Sequence, residues 1–276
     1  MATAQSSRSA RSAPQSSWLS QITKQVARRP AVLVVMGKPG VGKSSLAGNI
    51  PGVVVIPFTQ ENSWGTLKAT GAVPEDVSLF PAPENWVDFL AMLDELATGE
   101  HKFKALAIDT ISCAQRLMHE HVCARDYNGE WERGFLAYGR GFEASMADWL
   151  SFLSKLDKIR DRSPGMSVVM LEHTQVRPYK NPLGEDYDRF TPALHAKSWD
   201  LLHRYSDAVF MADYFVSVDT EGNRPKGKGG KSRIMRTTYS PAWDCKNRFS
   251  MPDEVEMGDS GAEAWANLLE AMKGGK

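Results

Sequence analysis

The residues best suited to chemistry lie in one short run, Gly37-Lys38-Pro39-Gly40-Val41-Gly42-Lys43-Ser44, which has the GxxxxGKS pattern of a phosphate-gripping loop. Glycines let the backbone turn tightly and point its N–H groups inward, and a helix starting near Lys43 adds the positive end of its dipole. Lys43 can then reach the β- and γ-phosphates, and the Ser44 hydroxyl can ligate Mg²⁺. The candidate cofactor-binding segment is Gly37 to Ser45. Within it Lys38 stands where the pattern is free and suits a solvated loop charge, while Pro39, Val41 and Ser45 shape the loop.

A second carboxylate-bearing position is Asp109, which closes the apolar run Ala105-Leu-Ala-Ile-Asp109. At a strand end it can hold Mg²⁺ beside Ser44; it can also cap the helix that follows Thr110. Thr110 stands where many P-loop ATPases carry a catalytic Glu, so the base must come from elsewhere. Glu61, after the strand Val53-Val-Val-Ile56, can orient and deprotonate water, or it is an exposed loop residue. Gln175, in Glu172-His-Thr-Gln175, can sense the γ-phosphate; His173 can do similar work or simply pack. Lys43, Glu61 and Gln175 are therefore the candidate catalytic residues.

The elements that must position these groups follow from pattern. Buried strands are expected at 31–36, 53–56, 77–80, 105–109 and 166–171, alternating with helices at 83–98, 111–125 and 142–160, the last with Met146, Trp149, Leu150, Leu153 and Leu156 on its apolar face. Such alternation predicts an α/β fold with a mainly parallel central sheet flanked by helices. Loops are expected at 126–140 and 176–192, a helix at 193–205, and two strands at 207–218 and 232–239 forming an antiparallel β-ribbon. A final helix is expected at 260–272, and Trp18 to Ala27 can form a short amphipathic helix. Three segments result: a Ser-, Ala- and Arg-rich tail at 1–17, an ATPase domain at 18–252, and an acidic C-terminal segment with a short helix at 253–276.

Composition excludes several classes. The 276 residues carry 33 basic and 33 acidic side chains, so no global positive field advertises nucleic acid. The first 60 residues hold seven Lys or Arg and no acid, as a tail or a transit peptide can; a tail is preferred. No apolar run of membrane-spanning length occurs, and a cytoplasmic protein is expected. Three cysteines without paired spacing support neither a disulfide framework nor a zinc site.

Gly37 to Ser44, Ile108-Asp-Thr110, Tyr138-Gly-Arg-Gly141, His173-Thr-Gln-Val176 and Asp244-Cys-Lys-Asn-Arg248 together resemble the RecA-like P-loop ATPases, and more narrowly the phage nucleotide-binding proteins of the AAA_24 type, similar to phage single-strand annealing proteins. The resemblance implies ATP and Mg²⁺ as cofactors, single-stranded DNA as partner, assembly into rings or filaments, and a single-strand-binding protein as a further partner in a bacterial host cytoplasm. The chain departs from the pattern before Glu61, where Thr59 replaces an Asp of many relatives. The two loops then become DNA-binding candidates, the second through Arg177, Tyr179, Lys180, Arg189 and Phe190, although Glu185, Asp186 and Asp188 offset its charge. The ribbon tip offers Arg224, Lys226, Lys228, Lys231 and Arg233 without an intervening acid, or is a solvated turn. Lys246 and Arg248 are candidates to complete a neighbouring subunit's site, or form a local salt-bridged turn. The leading alternatives are an AAA+ helicase loader and a nucleotide-dependent interaction switch with negligible hydrolysis.

Overall fold

The computed structural model describes residues 19, 22–24, 29–60, 63–219 and 226–274. The tail at 1–17, most of the Trp18–Ala27 segment, Glu61 and Arg224 lie outside them.

In chain order the elements are β1 (Val32–Gly37), α1 (Lys43–Gly48), β2 (Val53–Pro57), α2 (Trp64–Ala69), β3 (Ser78–Leu79), α3 (Trp86–Thr98), β4 (Ala105–Asp109), α4 (Ile111–Tyr127), α5 (Arg140–Ala144), α6 (Met146–Asp161), β5 (Ser167–Tyr179), β6 (Tyr187–Pro192), α7 (Ala196–Tyr205), β7 (Ala208–Asp219), β8 (Lys226–Arg236), β9 (Lys246–Asn247), β10 (Glu254–Glu256) and α8 (Gly261–Gly274). The sheet runs β10-β8-β7-β1-β5-β4-β2-β3, with β6 on β5 and β9 on β7. The stretch from β7 to β3 is parallel, and the ribbon strands β8 and β10 add antiparallel pairs at the other end. Every residue of β1 and β4 is buried, as expected where helices cover both faces.

One core layer joins the sheet to α3, α4 and α6 through Trp86, Phe89, Met118, Trp149, Phe152 and Leu156. The rings of Phe89 and Phe152 meet tilted at 5.7 Å and those of Trp149 and Phe152 at 5.1 Å, contacts worth about 0.5–1.5 kcal/mol each beyond burial. The other layer joins α1, α2 and α8 through Leu46, Trp64, Ala264 and Leu268.

Three expectations are corrected. The helix at 142–160 is two, broken at Ser145, and Leu150 is exposed while Phe152 and Ile159 take the buried positions, because the inward stripe follows Trp149, Phe152, Leu156 and Ile159 at helical spacing. The segment 126–140 is only partly a loop: Trp131–Phe135 forms a π-helical turn whose Phe135 is fully buried and stacks on Trp131 at 4.7 Å. The segment 176–192 is a β-hairpin, paired from Thr174 with Pro192 to Tyr179 with Tyr187. The segment after 252 continues the same layers: β10 pairs with β8, and α8 lies so close to α1 that a Cβ on Gly261 would stand 2.3 Å from the Ser45 carbonyl oxygen.

Candidate functional site

Pairing of β5 with both β1 and β4 decides what meets at the carboxyl edge of the sheet. Gly37 lies beside His173, and Asp109 beside Leu171. The strand carrying Glu172 and His173 thus separates the strand that enters the phosphate loop from the strand that ends in Asp109, a place where a chain crossing leaves a crevice for ligand.

The loop is built as its glycines demand. At Gly37 the β1–β7 pairing leaves no room for a side chain, since a Cβ would stand 2.3 Å from the Ala212 carbonyl oxygen. Gly42, immediately before α1, has φ 103°, which side-chain-bearing residues rarely adopt. Lys43 is buried; its Nζ donates to the Gly37 carbonyl at 2.8 Å and the Lys38 carbonyl at 3.0 Å, and lies 3.3 Å from His173 Nδ1. Its ammonium is therefore held inside the loop, where phosphate oxygens would replace carbonyls as partners.

Ser44 Oγ donates to Asp109 Oδ2 at 2.7 Å, and Trp64 Nε1 donates to the same oxygen at 3.1 Å. Asp109 is 1% exposed, so this carboxylate is fixed from two sides. A hydroxyl and a carboxylate converging beside a phosphate loop form the oxygen donor set that suits Mg²⁺, which keeps several waters and takes phosphate oxygens for the rest. The residues present fit that ion.

Glu172 is fully buried behind His173. Its Oε1 accepts from the His173 N–H and its Oε2 from the Ser112 N–H, both at 2.8 Å. Burial pushes its carboxyl up to about 7, against the pull of those amides and of the Lys43 charge. Glu172 therefore ties the middle of β5 to the start of α4, one residue away from the imidazole facing Lys43.

A family model for an AAA domain, AAA_24, matches residues 29–249. The chain belongs to the AAA_24 family. A nucleotide-binding ATPase is the activity that goes with an AAA domain. No curated protein matches the chain.

The remaining candidates in this AAA_24 domain are distributed as follows. Gln175 donates from Nε2 to the Pro192 carbonyl at 3.2 Å, across the hairpin, and His173 instead faces Lys43. Lys38 is exposed, as expected of a loop charge, and also pairs with Asp213 at 3.4 Å and lies over the Phe190 ring at 5.3 Å. In the hairpin, Arg177 is exposed, Lys180 pairs with Asp186, and Tyr179 lies 5.1 Å from Tyr187. Arg189 is buried against Asp244, with its guanidinium near the rings of Tyr179 and Tyr239, and Phe190 is half-buried beneath the Lys38 ammonium. In β8 the backbones of Lys226 and Lys228 pair with Asp219 and Ser217, and Lys231 is exposed.

Lys246 donates to the carbonyls of His203, Arg204 and Ser206 at 2.7, 3.1 and 2.7 Å, and Arg248 pairs with Asp207 at 3.2 Å. Both therefore build the local turn that closes α7, where cations suit the helix's negative end. Sequence inspection had no local signal for Trp64, and Arg233 was legible only as a ribbon cation, whereas its Nη1 donates to the Val41 carbonyl at 3.4 Å. Glu172 was legible as a carboxylate ending an apolar strand, a type almost never buried without a task. A cavity of about 970 Å³ lined by Arg29, Leu33, Arg160, Asp207 and Trp265 lies at the amino ends of β1 and β7, remote from the phosphate loop. Among the described residues no helix is long and apolar enough to cross a membrane.

Proposed function

We propose that this AAA_24 protein is a RecA-like phage ATPase that binds single-stranded DNA and promotes annealing in homologous recombination, working as a ring or filament of identical subunits in the host cytoplasm. The observation that carries the proposal is the continuity of β5: the strand that places His173 against Lys43 runs on without a break into the hairpin that bears Arg177, Tyr179 and Lys180. Occupancy of the phosphate loop can therefore be felt by the hairpin through one rigid element.

In this scheme Gly37 to Ser45 grip the phosphates of ATP. Lys43 exchanges loop carbonyls for phosphate oxygens, and His173, held by Glu172, reports that exchange along β5. Ser44 and Asp109 would hold Mg²⁺, which when bound neutralises charge developing on the phosphates. Trp64 keeps the Asp109 carboxylate aimed at that place. Glu61 orients the attacking water. Gln175 acts on the hairpin side, and its bond to Pro192 makes it a link between the two strands. The ATPase domain is assigned to 18–252 and the acidic C-terminal segment to 253–276, whose α8 packs against α1.

Exposed cations at the hairpin and ribbon would contact DNA phosphates, and Tyr179 and Tyr187 would offer faces for bases. Electron microscopy with ATP, Mg²⁺ and a single-stranded oligonucleotide, joined to turnover measured with and without the oligonucleotide, tests the proposal. Rings or filaments and DNA-stimulated turnover are expected. Monomers with negligible turnover, with or without the oligonucleotide, would leave the interaction-switch alternative in its place.

A further inference from the structure

The cavity of about 970 Å³ at the amino ends of β1 and β7 has an apolar wall made by α8. Trp265, Leu269 and Met272 recur along α8 at helical spacing and line the cavity with Leu33 and Phe249. They are only half-buried, and the face of α8 that meets the core is a different one, carried by Ala264 and Leu268. A helix stripe at i, i+4 and i+7 beside an open groove is the form that receives an amphipathic helix.

The lip of this groove is also where the N-terminal segment joins the fold. Arg29 lines it and is clamped to α6, with Nε donating to Asp161 at 2.7 Å and Nη2 to Asp157 at 2.9 Å. Ahead of Arg29 the sequence places Leu19, Ile22 and Val26 at helical spacing, and the structure describes the first two. The Ile22 N–H donates to the Leu19 carbonyl at 3.4 Å, and the two side chains stand 74% and 78% exposed, a small apolar patch that association would cover. Ile22 is seven residues from Arg29, yet neither apolar side chain lines the groove of its own chain. Each molecule therefore carries an apolar stripe and an apolar groove that do not close on each other.

We propose that the segment Trp18–Ala27 of one copy docks as an amphipathic helix in the α8 groove of a second copy. Ten helical residues are about 15 Å long, so the segment presents its apolar positions over about three turns. Leu19, Ile22 and Val26 enter between Trp265, Leu269 and Phe249, and the polar side, with Lys24, meets the charged lip that holds Asp157 and Asp207. The two surfaces differ, so the contact is head-to-tail and repeats into a ring or filament. The inference rests on the proposed assembly and names the surfaces that build it.

Analytical ultracentrifugation of the full chain, with and without ATP and Mg²⁺, tests it. A segment variant, Leu19→Asp with Ile22→Asp, and a groove variant, Leu269→Glu with Met272→Glu, should each weaken assembly roughly a hundredfold. Mixed in equal amounts they should form a dimer and nothing larger, because one intact segment and one intact groove remain between them. A mixture that stays monomeric, or variants that assemble like the parent, overturns the inference and leaves the ring or filament reading intact. A parent that is monomeric even with ATP, Mg²⁺ and oligonucleotide removes both. If the groove variant does not fold, a fluorescent peptide of residues 16–28 takes its place: it should bind the segment variant one per chain, and absence of binding overturns the proposal. Monomers whose stability in urea falls only in the segment variant would put the segment in the groove of its own chain, which also overturns it.

Discussion

Replacing Glu172 with glutamine should change how stability depends on pH, by an amount fixed by its burial. Burial lifts the carboxyl from 4.5 to about 7 in the folded protein. At about 1.4 kcal/mol for each tenfold change in proton affinity, that rise corresponds to about 3 kcal/mol. Between those pH values the folded state holds more protons at Glu172 than the unfolded chain, so stability falls as pH rises. The cost is absent below 4.5 and complete above about 7. His119 acts in the opposite direction: burial lowers it from 6.5 to about 4, so its contribution rises with pH through that range. The parent curve is thus flattened by two opposed groups, and the difference between parent and variant isolates Glu172.

Glutamine cannot ionise, but its NH₂ must face one of the two backbone N–H donors, from Ser112 or His173, which costs roughly 1–3 kcal/mol at every pH. Urea unfolding followed by tryptophan fluorescence at half-unit pH intervals would measure both. The Glu172→Gln protein should be less stable than the parent near pH 4.5 and should gain about 3 kcal/mol relative to it by pH 7.5. A difference that stays constant across this range would refute the assignment of a buried, ionisable Glu172.

Other consequences follow from single contacts. Asp109→Asn removes the charge that Ser44 and Trp64 hold in place, and ATP turnover should fall by roughly a hundredfold or more with folding retained. Leu268→Ala should cost about 2–5 kcal/mol in chemical denaturation, because α8 is packed into the core rather than appended to it. Lys246→Met should lower stability by roughly 1–3 kcal/mol, since three carbonyls at the end of α7 lose their donor. A Lys246→Met protein of unchanged stability that lost activity only on assembly would instead support the subunit-bridging role.

The parallel core was legible because its evidence is local. β1 and β4 are uninterrupted apolar runs, and the phosphate loop declares itself through glycine spacing. The hairpin at 174–192 was not, because Tyr187 to Pro192 is polar and becomes a strand only by pairing with the extension of β5, a partner that hydrophobic periodicity does not reveal. Leu150 misled for a related reason: it sits beside Trp149 in sequence but one helical step off the buried stripe. Asp109 and Ser44 were identifiable from their motifs, whereas Trp64 reaches Asp109 across 45 residues and Arg233 reaches Val41 across 192, contacts that no short pattern encodes. Lys246 and Arg248 show the converse, a basic cluster whose partners are main-chain carbonyls and Asp207 of its own chain.

Coupling between the phosphate loop and the hairpin is tested most directly by the anisotropy of a labelled single-stranded oligonucleotide, titrated with and without ATP and Mg²⁺ at several salt concentrations. The parent should bind in an ATP-dependent, salt-sensitive manner. Lys43→Ala should lose the ATP dependence, and Arg177→Ala should weaken binding and reduce the salt slope by about 0.7–1. DNA binding in the parent that is indifferent to ATP, or equal in all three proteins, would contradict the account.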